Sequence, residues 1–423
     1  MMRGGLTVEL RGPGIGPLSL ILKFFLFILL QVLSVGIVGV LDVSGALPPT
    51  VRVLVDRERS QFEINGYDVV VKDVVNRTTL ARANGRAHVH FNCALDGRIW
   101  IKGIHQESVL AGNRYRQFKG PLLIESLGGF LRIGTHQYRD ELYLYSFNGD
   151  CMVVNHVDLE KYVAGLLNSE MSSKWNLETL KAQAVAARTY AVFQMREASG
   201  VGYPRLHSPF DLDSTVKDQV YEGAHQERYK ALQAVFQTAG EILVYNGHPI
   251  KAFYHSTCGG QTESPVRVWG FRAPYMKSVP CGFCDRSPRY SWSMAMPLVE
   301  VERRLRNIGL WRVGTLEGVR VAERDGAGRA ISVDLMNLVK GGRQVGAKRI
   351  SAIRLRDALG ADHLRSTSFD LSLDDGLVNF KGRGSGHGVG LCQWGAKTMG
   401  EKGYAYRTIL TKYYPLAQLT KVY

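Results

Sequence analysis

The chain has no dense lysine/arginine block, no zinc-finger, RRM or helix-turn-helix spacing, and no internal repeat. Those absences set nucleic acid aside as a partner, although the 423 residues carry a formal charge of +15. Basic residues scattered in this way suit other polyanions, such as an anionic membrane face or an acidic cell-wall polymer. No Gly-Lys-Ser/Thr ending closes the glycine-rich segments, which excludes a phosphate loop. From Thr50 to about Tyr145 no stretch has helical period, so that region is expected to be β-rich. Cysteine is scarce, at six residues.

What is present is ordinary in bulk. Hydrophobic residues make up 45% of the chain, enough for a sizeable core. At the N-terminus, Arg3, Arg11 and Lys23 precede an apolar run from Phe24 to Leu41. Basic flanks and a terminal position point to an export signal or a membrane anchor whose leading side stays in the cytoplasm. Residues from Leu47 onward are then expected in the cell envelope, outside the cytoplasmic membrane. An exported chain is free to form disulfides, and Cys93, Cys151, Cys258, Cys281, Cys284 and Cys392 allow too many pairings to assign.

The periodicity predicts a mixed α+β fold. "VRVLV" puts Val51, Val53 and Val55 on one face of a strand. "GPLLIESLGGFLRIG" reads as two strands around a Gly-Gly turn, and "ELYLYSF" and "CMVVNHV" as strands split by Asn148-Gly149-Asp150. The period then changes. Asp158 caps a helix with Leu159, Tyr162, Val163, Leu166 and Leu167 on one face. Asn176 caps a second, Ala-rich one. Strands resume at about Gly240, with a hairpin around Asn246-Gly247. Residues 298–309 look helical, 319–337 look like a hairpin, and a last helix falls near the C-terminus. The expected division is 1–46 (cytoplasmic segment plus signal or anchor), 47–118 (β-rich) and 119–423 (catalytic), with 298–362 either an insertion or scaffold.

Four features carry chemistry. Glu170 sits at the break between the two helices. By position alone it reads as a surface glutamate, yet Met171 and Trp175 nearby could desolvate it and suit it to general-acid work. "FYHSTCGGQTESPVRVWG" joins a histidine and hydroxyls to a Gly-Gly pair, where backbone can approach a ligand. "GSGHGVGLCQWG" surrounds His387 with glycines. His255-x-x-Cys258 followed by Cys281-x-x-Cys284 is a spacing that suits a structural zinc, and disulfide bonding is equally compatible with it.

Together "LEKYVAGLLNSEM", "LKAQAVAARTYAV", "DSTVKDQVYEG", "YHSTCGGQTES" and "GSGHGVGLCQWGA" resemble, in order, the SpoIID/LytB family over about Pro121 to Tyr414. The resemblance implies a peptidoglycan lytic transglycosylase, or a non-catalytic enhancer of a cell-wall amidase. It places Glu170 at the catalytic position. Lys181, His255, Ser256, Gln261, Thr262, His387, Gln393 and Trp394 would line or support the glycan cleft, and the chemistry requires no cofactor. Arg188, inside a helix of small residues, reads as a structural ion-pair hub. Leu391-Cys392 and Trp394 depart from the usual family wording, and Cys392 reads as a small buried residue.

Overall fold

The computed structural model describes residues 47–103, 116–199, 208–224, 227–312, 314–339 and 343–423. The apolar run Phe24–Leu41 lies outside them. Among the described residues no helix is long and apolar enough to cross a membrane.

The N-terminal half is built on an 11-stranded sheet. Its path runs Leu212–Asp213, Thr50–Arg59, Asp150–Asp158, Glu141–Phe147, Leu122–Ser126, Gln61–Asp73, Thr79–Cys93, Arg98–Gly103, Arg116–Lys119. Only the Leu212–Asp213 pairing is parallel on this path. Val51 and Val53 are fully buried on the main core side and Val55 packs against it, while Leu54 joins a small cluster with Leu123, Tyr143 and Val154 on the other face. This is the period-2 alternation that the sequence predicts. A disulfide joins Cys93 to Cys151.

One expected boundary changes here. The boundary placed at 118/119 falls inside the sheet: Arg116–Lys119 pairs with Arg98–Gly103, and Leu122–Ser126 fills the gap between Gln61–Asp73 and Glu141–Phe147. The two strands expected around the Gly-Gly turn form as Leu122–Ser126 and Leu131–Ile133, and they do not pair with each other. Both pair with Gln61–Asp73, whose 13 residues are long enough to take both.

Eight helices are described: α1 (Leu159–Glu170), α2 (Leu177–Ala198), α3 (Tyr229–Gln237), α4 (Pro265–Trp269), α5 (Leu298–Asn307), α6 (Ala352–Leu359), α7 (Gln393–Glu401) and α8 (Tyr406–Tyr413). The Asp158 carboxylate accepts the Glu160 and Lys161 amides, and Asn176 accepts the Glu178 amide, so both expected caps form. Helix α2 is the axle of the main core. It packs against α1, α3, α7, α8 and the strand Glu241–Tyr245. Its small residues Ala182, Ala184, Ala186, Ala187 and Ala191 are all fully buried and permit that crowding.

Arg188, also buried, donates from Nε and Nη2 to Glu160 at 2.7 and 2.6 Å and from Nη1 to the Glu241 carbonyl. It is the hub that the sequence suggests. A second hydrophobic core, from Trp292 to Phe380, gathers α5, α6 and two three-stranded sheets. It is wider than 298–362. The chain enters and leaves it side by side, with the Gly384 amide donating to the Tyr290 carbonyl at 2.9 Å.

Candidate active site

Glu170 is the last residue of α1, one turn short of the cap of α2. The negative end of the α1 dipole disfavours an ionised carboxyl there. Glu170 Oε1 accepts the Val220 amide at 3.0 Å, and the side chains of Tyr254 and Gln393 hydrogen-bond the carboxyl. Gln393 Nε2 also lies 3.2 Å from the Glu170 carbonyl. Burial outweighs these three bonds and pushes the carboxyl above its ordinary range.

Behind the carboxyl lies a chain of buried polar groups. Gln219 Nε2 donates to Tyr254 Oη at 3.1 Å and reaches the Ala187 carbonyl, while Gln219 Oε1 accepts the Tyr162 hydroxyl at 3.0 Å. In front, Glu170 lines an open cleft of about 370 Å³ with Asn168, Ser169, Ser172, Ser173 and Arg228. Ser169 donates to Glu222 at 3.0 Å, which puts a second carboxylate near the rim. A larger cleft of about 780 Å³, with Arg324, Lys381 and Arg383 in its wall, lies over the second core.

The glycine-rich C-terminal loop reaches this site through the parallel pair Tyr254–His255 and Leu391–Cys392. Successive side chains of a strand point to opposite faces. Tyr254 therefore faces Glu170, and His255 faces the Val389 carbonyl, 3.0 Å from Nδ1. His255 and His387 pack ring to ring at 5.5 Å, and His387 also meets Phe253 and Trp269 at 5.8 and 5.0 Å. Burial holds both imidazoles neutral, His255 down to about 4. Trp394 meets Trp175 edge-on at 5.3 Å, with the Lys397 ammonium over both rings. Its amide donates to the Ser256 carbonyl at 3.0 Å, which ties Ser256 to the site through backbone.

Other expected cleft residues hold the scaffold. Thr262 is buried; its hydroxyl accepts the Val279 amide at 2.8 Å and its carbonyl accepts Ser278 Oγ. Gln261 donates to Ser278 Oγ at 2.9 Å. Lys181 is paired with Glu178 and lies over the Tyr406 ring, where it fastens α8 to α2. Gln261 and Thr262 thus bond within their loop, which is the supporting role among those the resemblance implies, and Lys181 has an internal partner in Glu178.

The cysteine grouping also changes. Cys258, Cys281, Cys284 and Cys392 bring their Sγ atoms within 4.8 Å of one another, and His255 is not among them. His255 is turned instead to the Val389 carbonyl and packs on the His387 ring. Sequence reasoning missed Tyr254, Gln219, Val220 and Arg228. Gln219 and Val220 lie within the quoted "DSTVKDQVYEG" and Tyr254 opens the quoted "YHSTCGGQTES", which were usable signals; Arg228 lies in none of the quoted stretches.

A mixed, β-rich α+β protein with one partly buried acid at a helix end is the class that fold and site define. The family model "Stage II sporulation protein" (SpoIID) matches residues 147–245, from the end of the strand Glu141–Phe147 through the strand Glu241–Tyr245 after α3. An uncharacterized protein of Brachyspira hyodysenteriae is 33% identical over 71% of this chain and 77% of its own length. Stage II sporulation protein D of Bacillus subtilis is 31% identical over 63% of this chain and 76% of its own. The amidase enhancer of Bacillus subtilis is 28% identical over 60% of this chain and 40% of its own. The chain belongs to the SpoIID family.

Proposed function

We propose that this protein is a lytic transglycosylase of the cell envelope that cleaves the β-1,4 bond between N-acetylmuramic acid and N-acetylglucosamine in peptide-free peptidoglycan strands. The observation that carries the reading is a carboxyl that burial pushes above its ordinary range and that lines an open cleft. Glu170 gives its proton to the glycosidic oxygen, the C1–O bond breaks, and N-acetylglucosamine leaves. Positive charge develops at C1 of N-acetylmuramic acid. The Glu170 carboxylate then takes the proton of that sugar's C6 hydroxyl, and O6 bonds to C1 to give the 1,6-anhydro ring. The nucleophile belongs to the substrate, so a second carboxylate is not required, in contrast to most glycosidases. Tyr254 and the Val220 amide receive the carboxylate once it has given up its proton.

The printed names of the relatives, a sporulation protein and an amidase enhancer, support a role at the cell wall. They also support a second reading, in which the chain binds wall glycan and stimulates an amidase without cleaving anything. One experiment separates the two. The full chain and Glu170→Gln are incubated with peptide-free glycan and with intact peptidoglycan, and the products are read by mass spectrometry. Anhydro-N-acetylmuramic ends from the wild type alone are expected. Reducing ends would mean hydrolysis. Binding without cleavage, with amidase stimulation kept in the Gln variant, would establish the enhancer.

A further inference from the structure

We infer that Cys258, Cys281, Cys284 and Cys392 form a closed four-thiolate site for one zinc ion, and that this ion fixes the start of α7 beside Glu170. Three separate segments deliver the sulfurs. Cys258 follows the strand Tyr254–His255, Cys281 and Cys284 flank a turn with Gly282 at φ 70°, and Cys392 immediately precedes α7. All four are buried and none is in a disulfide, while Cys93 and Cys151 are joined.

The spacing fits the metal. Zinc–sulfur bonds of about 2.3 Å in a tetrahedron put sulfurs roughly 3.8 Å apart. Here Cys258 Sγ and Cys284 Sγ are 3.4 Å apart, and all four sulfurs lie within 4.8 Å of one another. Disulfides would need two pairs. Four sulfurs gathered around one point instead suit one central ion.

The surroundings suit thiolates. The Cys258 amide donates to Cys392 Sγ at 3.2 Å, and the Tyr413 hydroxyl lies 3.2 Å from Cys281 Sγ, placed to donate to it. Four thiolates around Zn²⁺ leave a net charge of −2. The buried guanidinium of Arg329, bonded to the Cys258 carbonyl, offsets part of it. Zinc binding sends the four thiol protons to solvent. With all four positions taken by protein, the ion has no open site for water and is structural.

Its reach is specific. Cys392 is followed by Gln393, which bonds Glu170, and by Trp394, whose amide is tied to Ser256. A β-carbon added at Gly395 would fall 2.7 Å from Cys281 Sγ, so the first turn of α7 rests directly on the cluster. The ion therefore pins loops 134 residues apart in sequence at the one place where the C-terminal segment meets the acid.

The test uses the full chain, purified without chelators, with metal content measured by mass spectrometry. One zinc per chain is expected. Cobalt replacement should give the absorption of a tetrahedral four-thiolate site. Cys392→Ser should lose the metal and that spectrum, while the Cys93→Ser/Cys151→Ser pair keeps both. If Cys392→Ser does not fold, the wild-type cobalt spectrum decides alone. Two disulfides among the four cysteines in native protein, or no stoichiometric uptake of zinc by reduced protein, would overturn the inference. These readouts need no cleavage of glycan, so they stand or fall apart from the proposed reaction.

Discussion

At the scale of single residues, Glu170 has the most to reveal. Its carboxyl is raised by burial, so the folded state prefers the neutral form. Stability from this group is fully present below the ordinary carboxylate pKa of about 4 and is lost as pH rises through the higher folded value. Glu170→Gln should therefore melt higher than wild type at pH 7, and the gap should close as pH falls below about 4. The same variant should lose on the order of 10²–10⁴ in cleavage rate. Thermal melts and product assays at matched pH check both halves.

Tyr254→Phe tests the neighbour. The Tyr254 hydroxyl favours the ionised carboxyl, so its removal should raise the Glu170 pKa further. The alkaline limb of the pH profile of kcat/KM then moves to higher pH, because the acid stays protonated longer. A limb that stays in place would mean the hydroxyl does not reach the carboxylate in solution.

At the scale of elements, the site depends on how closely α1 lies on the segment that carries Val220. A β-carbon at Gly165 would come 2.7 Å from the Tyr221 ring and 3.1 Å from the Gly223 carbonyl. Gly165→Ala should cost roughly 1–3 kcal/mol in chemical denaturation and reduce cleavage as well, by shifting the Val220 amide. Arg188→Ala is a harsher test of the α1–α2 joint. Glu160 keeps the Gly240 amide and the Tyr423 hydroxyl but loses its cation. A loss of about 3–5 kcal/mol is expected, measured as the shift in denaturation midpoint at unchanged slope.

At the scale of the whole molecule, a covalent tie reinforces the main body. The Cys93–Cys151 disulfide closes a separation of 58 residues across the large sheet. Replacing both cysteines by serine should lower stability by about 2–4 kcal/mol, and reductant should lower the wild type to the same level. The second core, from Trp292 to Phe380, stands on a stem at Tyr290 and Gly384 and is held to the loop after His255 by Arg329. Its bounds were only partly legible. The hairpin and helix inside 298–362 show period, but the outer strands Ser291–Pro297 and Leu377–Arg383 look like any other β segment until they pair.

The sequence alone determined what local periodicity and capping can encode. That covers the strands of the β-rich half, the caps at Asp158 and Asn176, the buried stripe of α2, the Arg188 hub, and Glu170 at a helix end. Tertiary structure decided which distant residues meet. It chose Cys392 over His255 for the cysteine cluster, put Tyr254 against the acid, and turned Thr262, Gln261 and Lys181 inward. Gln393 and Glu170 touch across 223 residues, and Cys258 and Cys392 across 134. Periodicity reaches over a few turns of chain, whereas such contacts are set by strand register and by how one core fills, which are properties of the folded whole.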